Sequence, residues 1–301
     1  MGKTDVCAVV VSYHSPEKVI TCINSLSDQV DEIIVIDNST DRGLNDAINA
    51  LNYPDNVSFV FNGVNRGLAA ALNQGLRYSL DNKYEWTLFL DQDSILSENM
   101  VSEMMNSYEN LDGKAKEETA VVVSMVLDRD FKEVLPAVIT TRFLNRKLRN
   151  PAHDSFVHFH ITSGSMIRNE VIKDVGWMNE YLFIDYIDFD YCFRILDKNY
   201  KILLSKNALL YHSLAEKKQK LFFHFREHSN IRVYYQTRNR LFALFKYGRK
   251  YRSFLYAESF RFISKLFKII IIESDKGKKL NMYFKGVTDF LREYKKIFFG
   301  G

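Results

Sequence analysis

At residues 86–93 the chain reads Trp86-Thr87-Leu88-Phe89-Leu90-Asp91-Gln92-Asp93, a mostly apolar run that ends in two carboxylates. A short apolar run of this length is typical of a strand that is buried on both faces of a sheet. Two carboxylates one residue apart can hold a hard divalent cation through oxygen ligands. We therefore predict a buried strand whose carboxyl end carries a candidate metal site.

The region before this strand alternates between strand and helix patterns. Strand patterns rich in β-branched residues cover residues 6–12, 32–36 and 57–61, and helical spacing of apolar residues follows each of them. The helices are expected from Pro16, over residues 43–51 and over residues 67–80. This alternation predicts an α/β fold with a doubly wound, mostly parallel sheet.

Polar residues gather where the four predicted strands end. These groups are Ser12-Tyr13-His14, Asp37-Asn38-Ser39, residues 62–67 and Asp91-Gln92-Asp93. In doubly wound sheets, ligands bind outside the carboxyl ends of the strands. Four such groups in succession predict a shared binding cleft.

The second half of the chain changes character. Residues 187–196 have a helical pattern, and residues 201–204 and 208–212 resemble two edge strands. Long helical patterns follow from about residue 217. We expect an α/β domain over residues 1–215 and a basic, amphipathic helical extension over residues 216–301.

The net charge of +4 is unevenly distributed. Residues 215–301 contain 21 Lys/Arg and 7 Asp/Glu, against 20 and 30 in the rest of the chain. Basic amphipathic helices rich in aromatic residues lie in the interface of anionic membranes, so we expect peripheral membrane contact. The alternatives are a helical bundle with a solvated basic face and a homodimer contact. We expect no nucleic-acid binding, because no nucleic-acid module is recognisable.

The three cysteines, Cys7, Cys22 and Cys192, are few and scattered. This predicts neither a disulfide framework nor a zinc site and favours a reducing compartment. The chain enters a strand pattern within a few residues of Met1, so we expect no signal peptide. The most apolar late run, residues 266–272, is far shorter than the roughly 20 residues that a spanning helix needs.

Two other interpretations of the acidic motif compete with a metal site. An apolar strand followed by Asp91-Gln92-Asp93-Ser94 also resembles the nucleophile motif of haloacid-dehalogenase-like phosphatases. Those enzymes carry the motif on the first strand of the fold, whereas three strand-helix units precede it here. An isolated pair of acids can also be a solvated turn.

Several motifs in order resemble the family 2 inverting glycosyltransferases with the GT-A fold. The motifs are Val9-Val10-Val11-Ser12-Tyr13, Ile34-Val35-Ile36-Asp37-Asn38-Ser39, Asn65-Arg66-Gly67-Leu68-Ala69-Ala70-Ala71-Leu72-Asn73 and Leu88-Phe89-Leu90-Asp91-Gln92-Asp93. Leu90-Asp91-Gln92-Asp93-Ser94 and Phe183-Ile184-Asp185-Tyr186-Ile187-Asp188 are most similar to the rhamnosyltransferase branch. The resemblance covers roughly residues 6–245.

The resemblance implies a role for each matching residue on the donor side. Asp37 would accept a hydrogen bond from the pyrimidine base, and Asp93 would ligate Mg²⁺ or Mn²⁺ with Asp91 and His212. The other nucleotide-binding residues would be Val11, Ser12, Tyr13, Asn65, Arg66, Asn73, Asp91 and Gln92. Arg238 would be a diphosphate contact. For Asp37 the alternative is turn capping, for His212 a structural role, and for Arg238 a solvated helix face.

The resemblance also implies the acceptor side. Asp188 would be the catalytic base, with Asp185 and Asp190 as alternates, because Ile187 stands where the family usually has Glu. An acid here could instead cap the helix. Ser163, Gly164 and Trp177 would face the acceptor or the donor sugar, although Trp177 could equally be a core residue.

These implications predict a metal-dependent hexosyltransferase that moves L-rhamnose from dTDP-rhamnose onto a bacterial polysaccharide or a lipid-linked glycan. UDP-hexose and UDP-galactofuranose are alternative donors, and a non-catalytic sugar-nucleotide or glycan-binding protein is a further alternative. The expected location is cytoplasmic, at the inner face of the cell membrane. A homodimer stays open.

Overall fold

The computed structural model describes residues 4–43, 56–130, 132–141, 144–212, 217–220, 223–226 and 229–299. Fourteen strands lie in these ranges. They are β1 (Val6–Ser12), β2 (Glu32–Asp37), β3 (Val57–Phe61), β4 (Trp86–Asp91), β5 (Ile95–Leu96), β6 (Thr119–Asp128), β7 (Glu133–Val134), β8 (Ala137–Thr140), β9 (Asn145–Leu148), β10 (Ser155–Val157), β11 (Ser165–Arg168), β12 (Lys201–His212), β13 (Lys217–Lys220) and β14 (Phe223–Arg226).

The same ranges contain nine α-helices and two 3₁₀ turns. The helices are α1 (Pro16–Leu26), α2 (Leu68–Asp81), α3 (Met100–Glu109), α4 (Gly113–Glu118), α5 (Ile172–Val175), α6 (Ile187–Asp197), α7 (Asn230–Tyr247), α8 (Arg252–Ile271) and α9 (Lys276–Phe299). The 3₁₀ turns cover Asn169–Val171 and Glu180–Leu182. The helix expected over residues 43–51 lies, apart from Gly43, outside the described residues.

A mixed sheet of ten strands forms the centre of the α/β part. Its order is β10-β12-β6-β11-β4-β1-β2-β3, with β5 beside β12 and β7 beside β6. Strands β4, β1, β2 and β3 run parallel, which is the arrangement that the strand-helix alternation predicts. All seven residues of β1 are buried, because helices cover both faces of this half of the sheet.

The strand that ends at His212 differs from its prediction. Residues 201–212 form one strand, β12, which lies between β6 and β10 instead of at an edge. Strand β6 is ten residues long and pairs with β12 along its whole length, across a register shift between Ser205 and Leu209. This irregularity explains why the sequence looks like two short strands.

The C-terminal helices pack against the α/β part as well as against one another. Phe242 of α7 and Phe290 of α9 are buried in the same apolar cluster as residues of the central sheet. Val233, Ile269 and Tyr283 hold α7, α8 and α9 together in a smaller cluster. In the described part of the chain, no helix is both long and apolar enough to cross a lipid bilayer.

Candidate active site

The carboxyl ends of β1, β2 and β4 lie side by side. Val11 is in register with Asp91, and Ser12 is in register with Asp37. The main-chain N–H of Tyr13 donates to Oε1 of Gln92 at 2.8 Å. Strand β1 lies between β4 and β2, and neighbouring strands are about 4.8 Å apart, so the main chains of Asp37 and Asp91 are separated by about 10 Å. The polar strand ends therefore lie together at this edge of the sheet.

Asp37 is buried, with one carboxylate oxygen engaged and one unpartnered. Its Oδ1 accepts from the main-chain N–H and the hydroxyl of Ser39, at 3.0 and 2.6 Å. Its Oδ2 is buried with no hydrogen-bond partner among the described residues, and so is the hydroxyl of Ser12 beside it. Buried acceptors without donors are rare in folded proteins. Asp37 is thus prepared to accept a hydrogen bond from a ligand.

A tight turn at Gly67 borders this part of the cleft. Gly67 has φ +87°, and a Cβ there would lie 2.5 Å from the Phe183 ring, so only glycine fits. Asn65 caps the turn by accepting from the Gly67 N–H at 2.9 Å, and Asn38 donates to the Gly67 carbonyl at 3.1 Å. The side chain of Arg66 is exposed next to this turn.

The candidate metal site consists of Asp91, Asp93 and His212. One ligand atom from each lies within 4.8 Å of the others. His212 Nε2 is 3.5 Å from Asp91, and His212 Nδ1 is 3.2 Å from Asp93. Nδ1 is buried, and its 3.2 Å contact with Asp93 does not have the geometry of a hydrogen bond. Two carboxylates and one imidazole fit a divalent cation such as Mg²⁺ or Mn²⁺.

The charges in this triad influence one another. Partial burial raises the pKa of Asp91, against the opposing effect of His212. Burial lowers the pKa of His212, but the carboxylates of Asp93 and Asp91 outweigh it and raise that pKa above its usual value. Two close carboxylates favour a positive charge between them, which a bound cation would supply.

Asp188 lies at the first turn of α6 and is connected to the metal site through one loop. Its Oδ1 accepts from the main-chain N–H of Thr162 at 3.0 Å and from the Thr162 hydroxyl. The neighbouring residue, Ser163, accepts from the Asp91 N–H at 3.1 Å. Burial raises the pKa of Asp188 to about 6, although the Thr162 hydrogen bond opposes it. No ion pair to Asp188 occurs within the described residues.

The two alternate acids have cationic partners. Asp185 forms a two-point ion pair with Arg232 on α7, with N–O distances of 3.0 Å. Asp190 is 1% exposed and accepts from Lys246 at 2.8 Å and from Tyr247 at 2.6 Å. It also pairs with Arg194 at 2.9 Å. Asp190 therefore joins α6 to α7, and among the described residues Asp188 is the acid of the three that has no cationic partner.

The loop before α6 is held in a strained conformation. Phe183, Asp185 and Tyr186 have φ between +61° and +67°, a region that costs non-glycine residues about 1–3 kcal/mol each. Asn239 on α7 stabilises this loop by donating to the carbonyls of Leu182, Ile184 and Asp185 at 2.7–3.0 Å. The C-terminal helices thus position the acid-rich segment.

Arg232 and Asn239 are site residues that sequence reasoning missed. The family resemblance points to Arg238 in this helix, but the spacing of α7 gives no sign that residues 232 and 239 contact the loop before α6. Burial lowers the pKa of Arg232, but Asp185, Asp91 and Asp188 outweigh it and raise that pKa. Arg232 therefore lies close enough to the acids of the candidate site to interact with them electrostatically.

Ser163 and Gly164, which are predicted to face the acceptor or the donor sugar, lie directly before β11 and contact the end of β4. Besides Asp91, Ser163 exchanges a hydrogen bond with Ser94 at 2.8 Å. Gly164 has φ +80°, and a Cβ there would come within 2.4 Å of the Ser124 hydroxyl. The loop from Thr162 to Gly164 therefore joins the metal site to Asp188.

Two other predicted site residues, Asn73 and Trp177, have different partners. Asn73 donates to the Met178 carbonyl at 3.0 Å and to Glu180 at 2.8 Å, which gives it a packing role. The guanidinium carbon of Arg77 lies over Trp177, 4.7 Å from the centre of its ring. Arg77 is nine residues into α2, so it is about 13 Å along the helix from the cleft. Trp177 is accordingly placed away from the strand ends.

Arg238 is 8% exposed and is packed between aromatic rings. Its guanidinium lies 4.2 Å from the Tyr181 ring and 5.1 Å from the Tyr235 ring. It donates to the Tyr181 carbonyl and, at 3.0 Å, to Asn239. Arg238 therefore supports Asn239 and the strained loop, whereas Arg232 has the more exposed guanidinium facing the acids.

Comparison with known proteins identifies a family and a similar protein of known name. Residues 7–176 match the family described as "Glycosyl transferase family 2". The protein named "dTDP-rhamnosyl transferase RfbF" from Shigella flexneri is 30% identical over 251 residues, and the match covers 81% of each chain.

Solved structures share the fold at low sequence identity. The crystal structure of GalNAc-T7 with UDP, GalNAc and Mn²⁺ matches with a TM-score of 0.61 and 13% identity, over 97% of this chain and 57% of that one. The structure of S. aureus TarS residues 1–349 in complex with UDP-GlcNAc matches with a TM-score of 0.60 and 14% identity, over 95% and 80%. The GT-A fold expected from the sequence is confirmed.

Proposed function

The chain belongs to glycosyl transferase family 2, and on that premise we propose that it transfers L-rhamnose from dTDP-rhamnose to a hydroxyl of a glycan. The donor is suggested by the similarity to a dTDP-rhamnosyl transferase across four fifths of both chains. One observation supports the proposal: Asp37 and Asp91 lie at the same carboxyl edge of the sheet, Asp91 clusters with Asp93 and His212, and a single loop connects Asp91 with Asp188.

The nucleotide would bind along the ends of β1, β2 and β4. The unpartnered Oδ2 of Asp37 supports a hydrogen bond from the imide N–H of thymine or uracil. The roughly 10 Å between Asp37 and Asp91 suits a nucleoside diphosphate that extends from its base to its phosphates. Val11, Ser12, Tyr13 and Gln92 would line its path, with Asn65 and Arg66 on the neighbouring turn.

Asp93, Asp91 and His212 would hold the divalent cation, which when bound stabilises negative charge on the departing diphosphate. The Nδ1 of His212, which lies 3.2 Å from Asp93 without the geometry of a hydrogen bond, supports this role. Arg232 would add a fixed positive charge near the cation, because its guanidinium interacts electrostatically with both Asp91 and Asp188. Arg238 is a weaker candidate for this contact, since its guanidinium is buried between tyrosine rings.

Asp188 would act as the base. The acceptor oxygen attacks the anomeric carbon, the bond from that carbon to the diphosphate oxygen breaks, and the hydroxyl proton moves to the Asp188 carboxylate. The products are an inverted glycoside and the nucleoside diphosphate. A pKa near 6 suits this role, because the carboxylate is ionised at neutral pH yet basic enough to accept a proton. Ser163 and Gly164 would border the transferred sugar.

We also propose that the protein works at the inner face of the cell membrane. An apolar stripe on α8, defined by Tyr256, Phe260, Ile263, Phe267 and Ile270, is 46–72% exposed. Its spacing of four and three residues places it on one face of the helix. The basic excess of residues 215–301 would attract this stripe to anionic lipids. A homodimer through the same stripe is the alternative.

Nucleoside diphosphate release from several donors tests the proposed reaction. The purified protein is incubated with dTDP-rhamnose, UDP-glucose or UDP-galactofuranose, with Mg²⁺, with Mn²⁺ and with EDTA. We expect slow metal-dependent hydrolysis, fastest for dTDP-rhamnose and increased by the glycan acceptor. Faster turnover of UDP-glucose or UDP-galactofuranose would reassign the donor. Metal-dependent turnover of p-nitrophenyl phosphate with no sugar-nucleotide turnover would instead favour a phosphatase.

A further inference from the structure

Glu258 is a buried carboxylate to which the proposed function gives no role. It lies on α8, is 1% exposed and follows Tyr186 by 72 residues in the chain. Its Oε2 accepts from the Tyr186 hydroxyl and from Arg240 at 3.0 Å, and its Oε1 accepts from Arg261. A buried carboxylate is costly unless it is paired and hydrogen-bonded. Both oxygens of Glu258 are engaged, so the carboxylate fixes the groups around it.

Tyr186 is the residue from which α6 starts. Its main chain has a left-handed conformation, with φ +67° and ψ 0°. Its carbonyl accepts from the Asp190 N–H at 3.0 Å, which is the first hydrogen bond of the helix. The Tyr186 side chain makes no capping hydrogen bond to the helix. Asp188 is the second residue of α6, so its direction depends on what holds Tyr186 in place.

The Tyr186 side chain is held at its hydroxyl end. Burial raises the pKa of Tyr186 well above its usual value, so the hydroxyl keeps its proton and donates it to Glu258. The same hydroxyl accepts from Nε of Arg240. A tyrosine hydroxyl is both a donor and an acceptor, and both functions are used here. Two charged partners from α7 and α8 therefore fix the orientation of this side chain.

The two C-terminal helices hold consecutive parts of one loop. Asn239 on α7 donates to three main-chain carbonyls of the loop before α6. Glu258 on α8 holds the side chain of Tyr186, which follows those carbonyls directly. An apolar residue at position 258 could fill the same volume, but it would not select one direction for the hydroxyl. Directional contacts of a fully satisfied polar network can specify one conformation.

We propose that Glu258 is a positioning residue for the transfer reaction, and that it orients the Asp188 carboxylate through Tyr186. This inference rests on the proposed function, in which Asp188 is the base. No hydrogen bond or ion pair joins Glu258 to Asp188 within the described residues, so the effect passes through Tyr186. Misplacing a catalytic group by about 1 Å can cost about 10²-fold in rate. A change at Glu258 should therefore lower kcat without weakening donor binding.

Hydrolysis of dTDP-rhamnose by the full chain with Mg²⁺ tests this role. Water replaces the glycan, the release of dTDP at saturating donor gives kcat, and calorimetry gives the donor affinity. Glu258→Gln keeps the size of the side chain and removes its charge, whereas Tyr186→Phe keeps the ring and removes the hydroxyl. Glu273→Gln is the matched control. Glu273 is 0% exposed and accepts from Lys265 at 2.8 Å, but it lies beyond the other end of α8.

We expect Glu258→Gln and Tyr186→Phe each to lower kcat by about tenfold or more, with donor affinities within about twofold of wild type. The variant that carries both changes should have a kcat within about twofold of the slower single variant, because both changes break the same connection. Glu273→Gln should melt at a lower temperature than wild type and keep its kcat within about twofold.

Three results would overturn the positioning role. The first is a wild-type kcat in Tyr186→Phe, which is decisive even if Glu258→Gln does not fold. The second is a loss in the combined variant equal to the product of the single losses, because the two residues would then act independently. The third is an equal loss of kcat in Glu273→Gln, which would indicate a general effect of stability. Absence of dTDP-rhamnose turnover by the wild type would instead contradict the proposed function, and this inference with it.

Discussion

Arg232 donates to both carboxylate oxygens of Asp185, at 3.0 Å from Nε to Oδ2 and 3.0 Å from Nη2 to Oδ1. This ion pair removes Asp185 from competition as a base, because its charge is already balanced. Asp190 is balanced in the same way by Arg194 and Lys246. Among the three acids, Asp188, which accepts from Thr162, is the one with no ion-pair partner among the described residues.

Asp188→Asn should abolish transfer while preserving the donor site. A positioned general base contributes about 10²–10⁴-fold to the rate, so kcat should fall by that factor. Asparagine keeps the shape of the side chain and its acceptor for the Thr162 N–H, so the affinity for dTDP-rhamnose should change less than twofold. Steady-state kinetics and calorimetry measure the two quantities. Unchanged transfer in Asp188→Asn would rule out Asp188 as the base.

Asp190→Asn should affect folding more than chemistry. Burial raises the pKa of Asp190, but Arg194 and Lys246 outweigh it and hold that pKa below its usual value. Removing one charge from a buried pair costs about 3–5 kcal/mol, so the free energy of unfolding in urea should fall by roughly 3 kcal/mol. Asp197→Asn, at a more exposed pair with Lys250, is the control and should cost less than about 1 kcal/mol. Wild-type stability together with a loss of kcat in Asp190→Asn would contradict this structural role and would favour Asp190 as the base.

The pH dependence of transfer should report Asp188. Its pKa is raised to about 6 by burial, and the protonated acid cannot accept a proton. The rate should therefore fall about tenfold per pH unit below roughly pH 6, with the midpoint lowered further when a cation is bound nearby.

Asp185→Asn provides the matched test of that midpoint. The negative charge of Asp185 raises the pKa of Asp188, so its removal should move the acid limb of the profile to lower pH. Thermal melting over the same pH range controls for unfolding. A midpoint that moves to higher pH in Asp185→Asn would contradict the identification of the titrating group.

Membrane attachment should depend on the apolar stripe of α8. Phe260→Ser with Phe267→Ser removes two rings that are 72% and 57% exposed, each able to contribute about 1.5–3 kcal/mol when buried in lipid. Sedimentation with phosphatidylglycerol vesicles should show at least tenfold weaker binding than wild type. Leu144→Ser, at a 76% exposed residue outside the stripe, should bind normally. Equal binding of the double variant would refute membrane contact here, and a shift from dimer to monomer in gel filtration would favour the homodimer.

The parallel half of the fold was predictable because its signals are local. Buried β-branched runs identified β1 and β2, and the polar residues after them marked the cleft, since parallel strands end at the same edge. The metal triad followed in part from the Asp91-Gln92-Asp93 spacing. His212 was assigned to the triad from the family resemblance, because no local feature of the sequence shows that β12 runs beside β6.

The acceptor side was less predictable because its contacts are distant in sequence. Arg232 meets Asp185 across 47 residues, and Asn239 contacts the strained loop across more than 50. The sequence offered three acids in a row at Asp185, Asp188 and Asp190. The packing of α7 adds Arg232 beside Asp185 and Lys246 beside Asp190, and the local sequence shows neither contact. The same packing explains why Arg238, a basic residue on a helical segment, is buried beside Tyr181.

Calorimetric titration of dTDP-rhamnose into the wild type, Asp37→Asn and Asp93→Asn, with and without Mn²⁺, tests the shared cleft most directly. We predict that wild-type affinity increases at least tenfold with Mn²⁺, that Asp93→Asn loses this increase, and that Asp37→Asn weakens binding with and without the metal. Affinities that are the same in all three proteins would contradict a common site for the base and the cation.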